Sequence, residues 1–152
     1  MREWAIGIIL LYLLQACTNV NTSKKGDHES TRRVRSLDDL IAHQTDTAAL
    51  IRSIEGSPCV ESEYIGFVGR KSYVYASFQR LDQLISDTAW LKLSYNSKAV
   101  MKAYAYWALM KRKSALLPVI RDHLKNDTAT ICFISADVTS SWAIGYFISD
   151  LK

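Results

Sequence analysis

The feature that most limits this chain is a polar stretch with no apolar period, Thr18 to Ser36, reading TNVNTSKKGDHESTRRVRS. Such a segment cannot bury enough surface to offset the entropy of ordering it. It separates two apolar parts that must find their structures independently. Before it, an apolar run from Trp4 to Leu14 covers about 11 residues, where a membrane-spanning helix needs roughly 20. After it come residues 37–152, enough for one small domain with a single core. With 49% hydrophobic and 11% aromatic residues, the chain reads as globular there.

The opening residues MREWAIGIILLYLLQAC carry one base, Arg2, then the short apolar run, then Leu14-Gln15-Ala16-Cys17. A run of that length fits a signal peptide. The Leu-x-Ala-Cys ending resembles the lipobox of bacterial lipoproteins. Gln15 and Glu3 depart from the pattern. The resemblance implies cleavage after Ala16, a diacylglycerol on the thiol of Cys17, and residues 17–36 as a flexible tether. An ordinary secretory signal, an uncleaved anchor and an N-terminal core helix are the other readings of these residues. Thr18, where Asp would signal retention, implies by the same resemblance an outer-membrane lipoprotein of the cell envelope. It would face the periplasm or the cell surface, with the membrane as its first partner.

The net charge is +4. Removing residues 1–16 takes away Arg2 and Glu3 and leaves it unchanged. The positive charges are scattered apart from Arg32-Arg33-Val34-Arg35, read as part of the solvated tether, and Lys111-Arg112-Lys113, read as a solvated loop. A mildly basic exported chain gives no reason to expect a nucleic-acid partner. Cys59 and Cys132 are the remaining cysteines. Outside the cytoplasm a disulfide between them is permissible, and closing so long a loop would be worth about 3–5 kcal/mol. Two buried free thiols fit the sequence nearly as well.

From Leu37 on, helical signals dominate. Asp46 and Ser72 are N-cap candidates, and Val74, Phe78, Leu81 and Ile85 form one helical face. Asp87 and Ser114 are read as further caps. Pro118 falls in a first turn, where its missing N–H is tolerated. Cys59 to Lys71 has no helical period and reads as a loop packed on the core or a short extended piece. Thr130 to Ile134 fits either a strand or an apolar helical turn. Ser140 or Ser141 is expected to cap a last helix, bent at Gly145. The fold expected is all-α, built of short antiparallel helical hairpins.

Met101-Lys102-Ala103-Tyr104-Ala105-Tyr106-Trp107-Ala108-Leu109, continued by Leu116-Leu117-Pro118-Val119-Ile120, Leu124 and Asp127, resembles the inner helix and following helix of a HEAT-type repeat. The likeness covers about 40 residues. Lys102 stands where Arg is common, and Cys132 where a base is expected. In such repeats the base pairs with an acid of an adjacent turn, and small Ala residues let helices approach closely. With Gly69, Ser72, Tyr75 and Phe78, the segment resembles a group of small uncharacterised bacterial exported proteins with HEAT-like hairpins, from which no activity carries over. The pattern predicts Trp107 buried between helices over Asp87–Asn96 and Ser114–Asp127.

No catalytic set emerges. His28, His43 and His123 read as solvated side chains. No His-x-x-x-His, Cys-x-x-Cys or carboxylate cluster has metal-ligand spacing, and no glycine-rich loop suits a phosphate. The chain is therefore read as a non-enzyme without cofactor or metal. Tyr104 and Tyr106 fall about 200° apart on a helix, so at least one is expected near the surface as a partner-binding residue. The function expected is a lipid-anchored protein-interaction module for another envelope protein. The alternatives are an immunity or inhibitor lipoprotein that masks a toxin or hydrolase, and an envelope enzyme with an unrecognised site.

Overall fold

Two residues decide the architecture. Cys59 and Cys132 lie side by side on neighbouring parallel strands, Cα atoms 4.4 Å apart, joined by a disulfide across 73 residues of sequence. The computed structural model describes residues 37–95 and 98–151; the signal and tether segments, with Cys17 and His28, lie outside them. The elements run α1 (Leu37–Ala42), α2 (Thr47–Glu55), β1 (Cys59–Ile65), β2 (Arg70–Lys71), α3 (Tyr73–Leu84), α4 (Asp87–Ser94), α5 (Ala99–Lys111), α6 (Leu117–Leu124), β3 (Thr130–Ala136), β4 (Val138–Ala143) and α7 (Ile144–Asp150).

The all-α expectation is wrong. Among the described residues helix accounts for 55% and strand for about 20%, and their four strands form one mixed sheet in the order β2-β1-β3-β4. The β1–β3 pair is parallel and the outer pairs are antiparallel. Parallel neighbours need a long crossover, and α3 to α6 supply it. The helices read as HEAT-like hairpins are thus the crossover of an α/β fold. The last helix is not capped by Ser140 or Ser141. Both belong to β4, and α7 begins only at Ile144. Gly145 is no bend. It is the second residue of α7, and its N–H donates to the Asp127 carbonyl at 2.9 Å. A Cβ there would strike the Lys125 carbonyl.

Local signals explain α2, α3 and α4 well, whereas Ser114 does not cap α6, which begins at Leu117 without a side-chain cap. Asp46 Oδ1 accepts from the N–H groups of Ala48 and Ala49, and Ser72 Oγ from that of Tyr75. Ser86, one residue before the expected Asp87, caps α4. Val74, Phe78 and Leu81 of α3 are buried. Helix α5 is the centre of the domain and is buried nearly all round; it packs against α2, α4, α6, α7, β1 and β3. A helix apolar on every side is what a central position demands.

That position corrects two expectations. Tyr104 and Tyr106 are both 0% exposed, so neither offers a binding surface. Trp107 is only half-buried, and it does not sit between α4 and α6. Its ring packs on Tyr75, Phe78 and Tyr104 at 5.5, 5.8 and 5.9 Å and meets Phe133 of β3 edge-on. Among the described residues the fully buried indole is Trp90, which donates to Asp82 at 2.9 Å. Arg112 is not a solvated loop residue either. It pairs with Asp82 at 2.8 Å and Asp87 at 2.7 Å, and also donates to the carbonyls of Asp82 and Ile85. It ties the α3–α4 turn to the end of α5. Lys102 does pair with an acid, Asp127 at 2.7 Å, although no repeat surrounds them.

Side chains alternate across the sheet. Val60, Ile131 and Phe133 turn toward the helices, where Phe133 meets Trp107 and Phe147. Cys59, Cys132 and Ile134 lie on the other face, in register with Ser141 and Thr139 of β4, both exposed.

Candidate functional site

Strands β1 and β2 meet through the turn Gly66-Phe67-Val68-Gly69. Both glycines have positive φ, +75° and +67°, where a side chain would be strained. They fold the chain back within four residues and push the two residues between them outward. Phe67 is 94% exposed and Val68 93%. The turn is fixed at its base. Gly66 donates to the Ala136 carbonyl at 2.6 Å, and Gly69 to the Gly66 carbonyl at 3.0 Å.

A cleft of about 450 Å³ lies between this turn and the β3–β4 turn. Ile65 and Ile134 contribute its apolar lining, Phe67 and Val68 one wall, and Arg70 and Asp137 opposite charges. A second cleft, of about 210 Å³, lies over α3, between Ile41, Glu63, Lys71, Tyr75 and Arg80. Tyr75 stands on its floor, its hydroxyl 3.4 Å from the ammonium of Lys111. The first cleft joins apolar surface to a protruding tip, an arrangement suited to holding another macromolecule.

The sites expected from sequence fall elsewhere. The Tyr104 hydroxyl donates to the Glu61 carbonyl and accepts from the Glu61 N–H, both at 2.9 Å. Burial holds its pKa well above the usual phenol range, so it stays neutral. The Tyr106 hydroxyl accepts from Arg121 at 3.1 Å. Both tyrosines therefore have structural partners. His43 and His123 are exposed, and the His123 ring lies 4.1 Å from that of Tyr95. Among the described residues no group of three or more His, Cys, Asp or Glu is placed to hold a metal ion, and no helix is long and apolar enough to cross a membrane.

Carboxylates are held ionised where they brace the fold. At Asp87 the Ser114 hydroxyl, then Arg112, lowers the pKa. At Asp127 burial alone would raise it, but the Lys102 ammonium and the Ala129 N–H together bring it below its ordinary value. The exposed tip was missed because Gly66-Phe67-Val68-Gly69 reads locally as a packed loop. The available signal was the pair of glycines three residues apart, which allows a two-residue protrusion as well as a packed turn.

No protein-family model, curated protein or solved structure matches the chain.

Proposed function

We propose that this chain is a lipid-anchored envelope lipoprotein whose C-terminal domain is a non-enzymatic interaction module for another envelope protein. The observation that carries the reading is the Phe67–Val68 tip. Two large apolar side chains standing almost wholly in water mark a contact surface, and a tip fixed at its base loses little entropy on docking. The disulfide supports an exported location, since such bridges persist in oxidising compartments. The lipobox-like Leu14-Gln15-Ala16-Cys17 supports the anchor, and the polar stretch behind it supplies reach.

The same protrusion favours a second reading within this role, an immunity or inhibitor lipoprotein. A rigid apolar tip can enter the cleft of a toxin or hydrolase and block it.

A photo-reactive residue at position 67, in the full chain in intact cells, tests the reading. A discrete cross-linked protein, lost with Phe67→Asp while the fold persists, is the expected result. Cross-links to lipid alone, or none, would contradict it. Labelled palmitate tests the anchor. It should enter the parent and not Cys17→Ser, and equal labelling would remove the lipid from the account.

A further inference from the structure

The two sides of the sheet are finished differently. Along the outer side of β1, in-chain groups take the backbone. The Ser57 hydroxyl accepts from the Cys59 N–H and donates to the Cys59 carbonyl, at 3.2 and 2.7 Å. The Tyr104 hydroxyl does the same for Glu61. The Ser72 N–H donates to the Glu63 carbonyl at 2.9 Å, and β2 pairs with Tyr64 and Ile65.

Among the described residues strand β4 has no such cover. Thr130 and Ala143 are register partners, and the Ile144 N–H donates to the Ala129 carbonyl. In an antiparallel ladder this makes Thr130–Ala143 a non-hydrogen-bonded pair. By alternation Trp142 and Ser140 bond to β3, while the N–H and C=O of Thr139 and Ser141 point outward. Among the described residues no backbone or side-chain partner meets them. Natural edges are commonly protected by charged residues, proline or a bulge. The sequence Val138-Thr139-Ser140-Ser141-Trp142-Ala143 has none of these.

Two further observations say what fits. On the helical side of β4 a small cavity of about 80 Å³ is lined by Phe133, Trp142, Phe147 and Leu151, room for one aliphatic side chain. Asp150 stands at this cavity and Asp137 at the opposite end of the strand, both exposed and neither in a salt bridge with a base among the described residues. We propose that the free edge of β4 takes an extended segment of a partner polypeptide as a fifth strand. One aliphatic side chain of that segment enters the cavity, and basic residues flank it. Main-chain hydrogen bonds supply affinity and the cavity and carboxylates supply selectivity. A second copy of this chain fits poorly. Antiparallel pairing of two β4 strands would bring Asp137 of each toward the end where Asp150 of the other stands. The site centres on the edge and the small cavity; only its Asp137–Thr139 end borders the Phe67–Val68 cleft, and it extends the interaction role proposed above.

The probe is the acetylated peptide amide Lys-Ile-Thr-Val-Thr-Ile-Lys, titrated into the full chain. Binding should slow exchange of the Thr139 and Ser141 amides. Ser141→Pro removes an outward N–H that the β3 ladder does not use and should weaken binding about tenfold or more. Asp150→Lys should weaken it severalfold, and Phe67→Ser, which adds no charge beside Asp137, should change it far less. An arm that leaves the protein untouched uses N-methylated peptides. Methylating one alternate set of peptide amides should abolish binding, and methylating the other set should not. No binding at millimolar peptide, or equal tolerance of both methylated sets, would overturn the proposal. So would a dimer of the chain that Ser141→Pro dissociates.

Discussion

The β1 side and the β4 side of one four-stranded sheet differ in a single respect, whether the chain supplies hydrogen-bond partners for its own edge. On the β1 side Ser57, Tyr104 and Ser72 stand where β2 is too short to reach. On the β4 side the backbone groups of Thr139 and Ser141 face outward with no hydrogen-bond partner among the described residues. Strand pairing alone does not close an edge. Other groups can, and here they are the Tyr104 hydroxyl of the central helix, the Ser57 hydroxyl before β1 and the Ser72 N–H after β2. A side that is finished reads as structural, and a side left open reads as available.

The largest effect should follow from cutting the join between the two sides. Replacing Cys59 and Cys132 together by Ala removes a bridge across 73 residues, worth about 4 kcal/mol in a loop of that length. Denaturant unfolding of the double variant should report that loss. A change below about 1 kcal/mol would mean that the β1–β3 pair holds without the bridge.

Tyr104→Phe tests the finished side. It keeps the ring stack with Phe78 at 4.7 Å but leaves the half-buried Glu61 N–H and carbonyl without their hydroxyl partner. The expected cost is about 2–3 kcal/mol, with faster exchange of the Glu61 amide. An unchanged amide would show that water or a shifted neighbour replaces the hydroxyl.

Lys102→Met acts where β3 begins. Asp127 accepts from Lys102, caps Ala129 and takes the Gly145 N–H on its carbonyl. Its folded pKa lies below its ordinary value, so its stabilisation is present above the unfolded pKa, near 4. It is lost as pH falls through the folded value. The parent should lose stability as pH drops below about 4. Lys102→Met should cost about 1–2 kcal/mol at pH 7 and show a shallower acid loss. Parallel acid curves for the two proteins would assign the shift to another group.

Much of the helical half was legible. Asp46, Ser72, Pro118 and the Val74–Phe78–Leu81 spacing are local signals, set by capping and periodicity, and they stand where the sequence put them. The sheet was not legible because its defining contact is non-local. Cys59-Val60-Glu61-Ser62-Glu63-Tyr64-Ile65 shows no clean alternation, and its partner strand lies some 70 residues away. The repeat-like run of α5 misled for the same reason. Ala residues that allow close helix approach serve a central crossover helix as well as a repeat. At least one of Tyr104 and Tyr106 was expected near the surface on the assumption that one side of α5 faces solvent, and its surroundings leave no such side. Of the candidate surface, only the Gly66/Gly69 pair was visible beforehand.

A smaller effect tests the β3–β4 turn that presents the open edge. Ala136 has φ of +49°, a conformation that glycine adopts more readily. Ala136→Gly should therefore stabilise by up to about 1 kcal/mol, seen as a modest rise in Tm. A fall would mean that the Ala136 methyl makes a contact outweighing the strain.

Residue-resolved hydrogen exchange of the free full chain tests the central claim most directly. If one side is closed by the chain and the other is open, the Glu61 amide, bonded to the Tyr104 hydroxyl, should be protected. Along β4, protection should alternate, with Ser140 and Trp142 slow and Thr139 and Ser141 fast. Uniform protection along β4, or a Glu61 amide as fast as that of Ser141, would contradict the account.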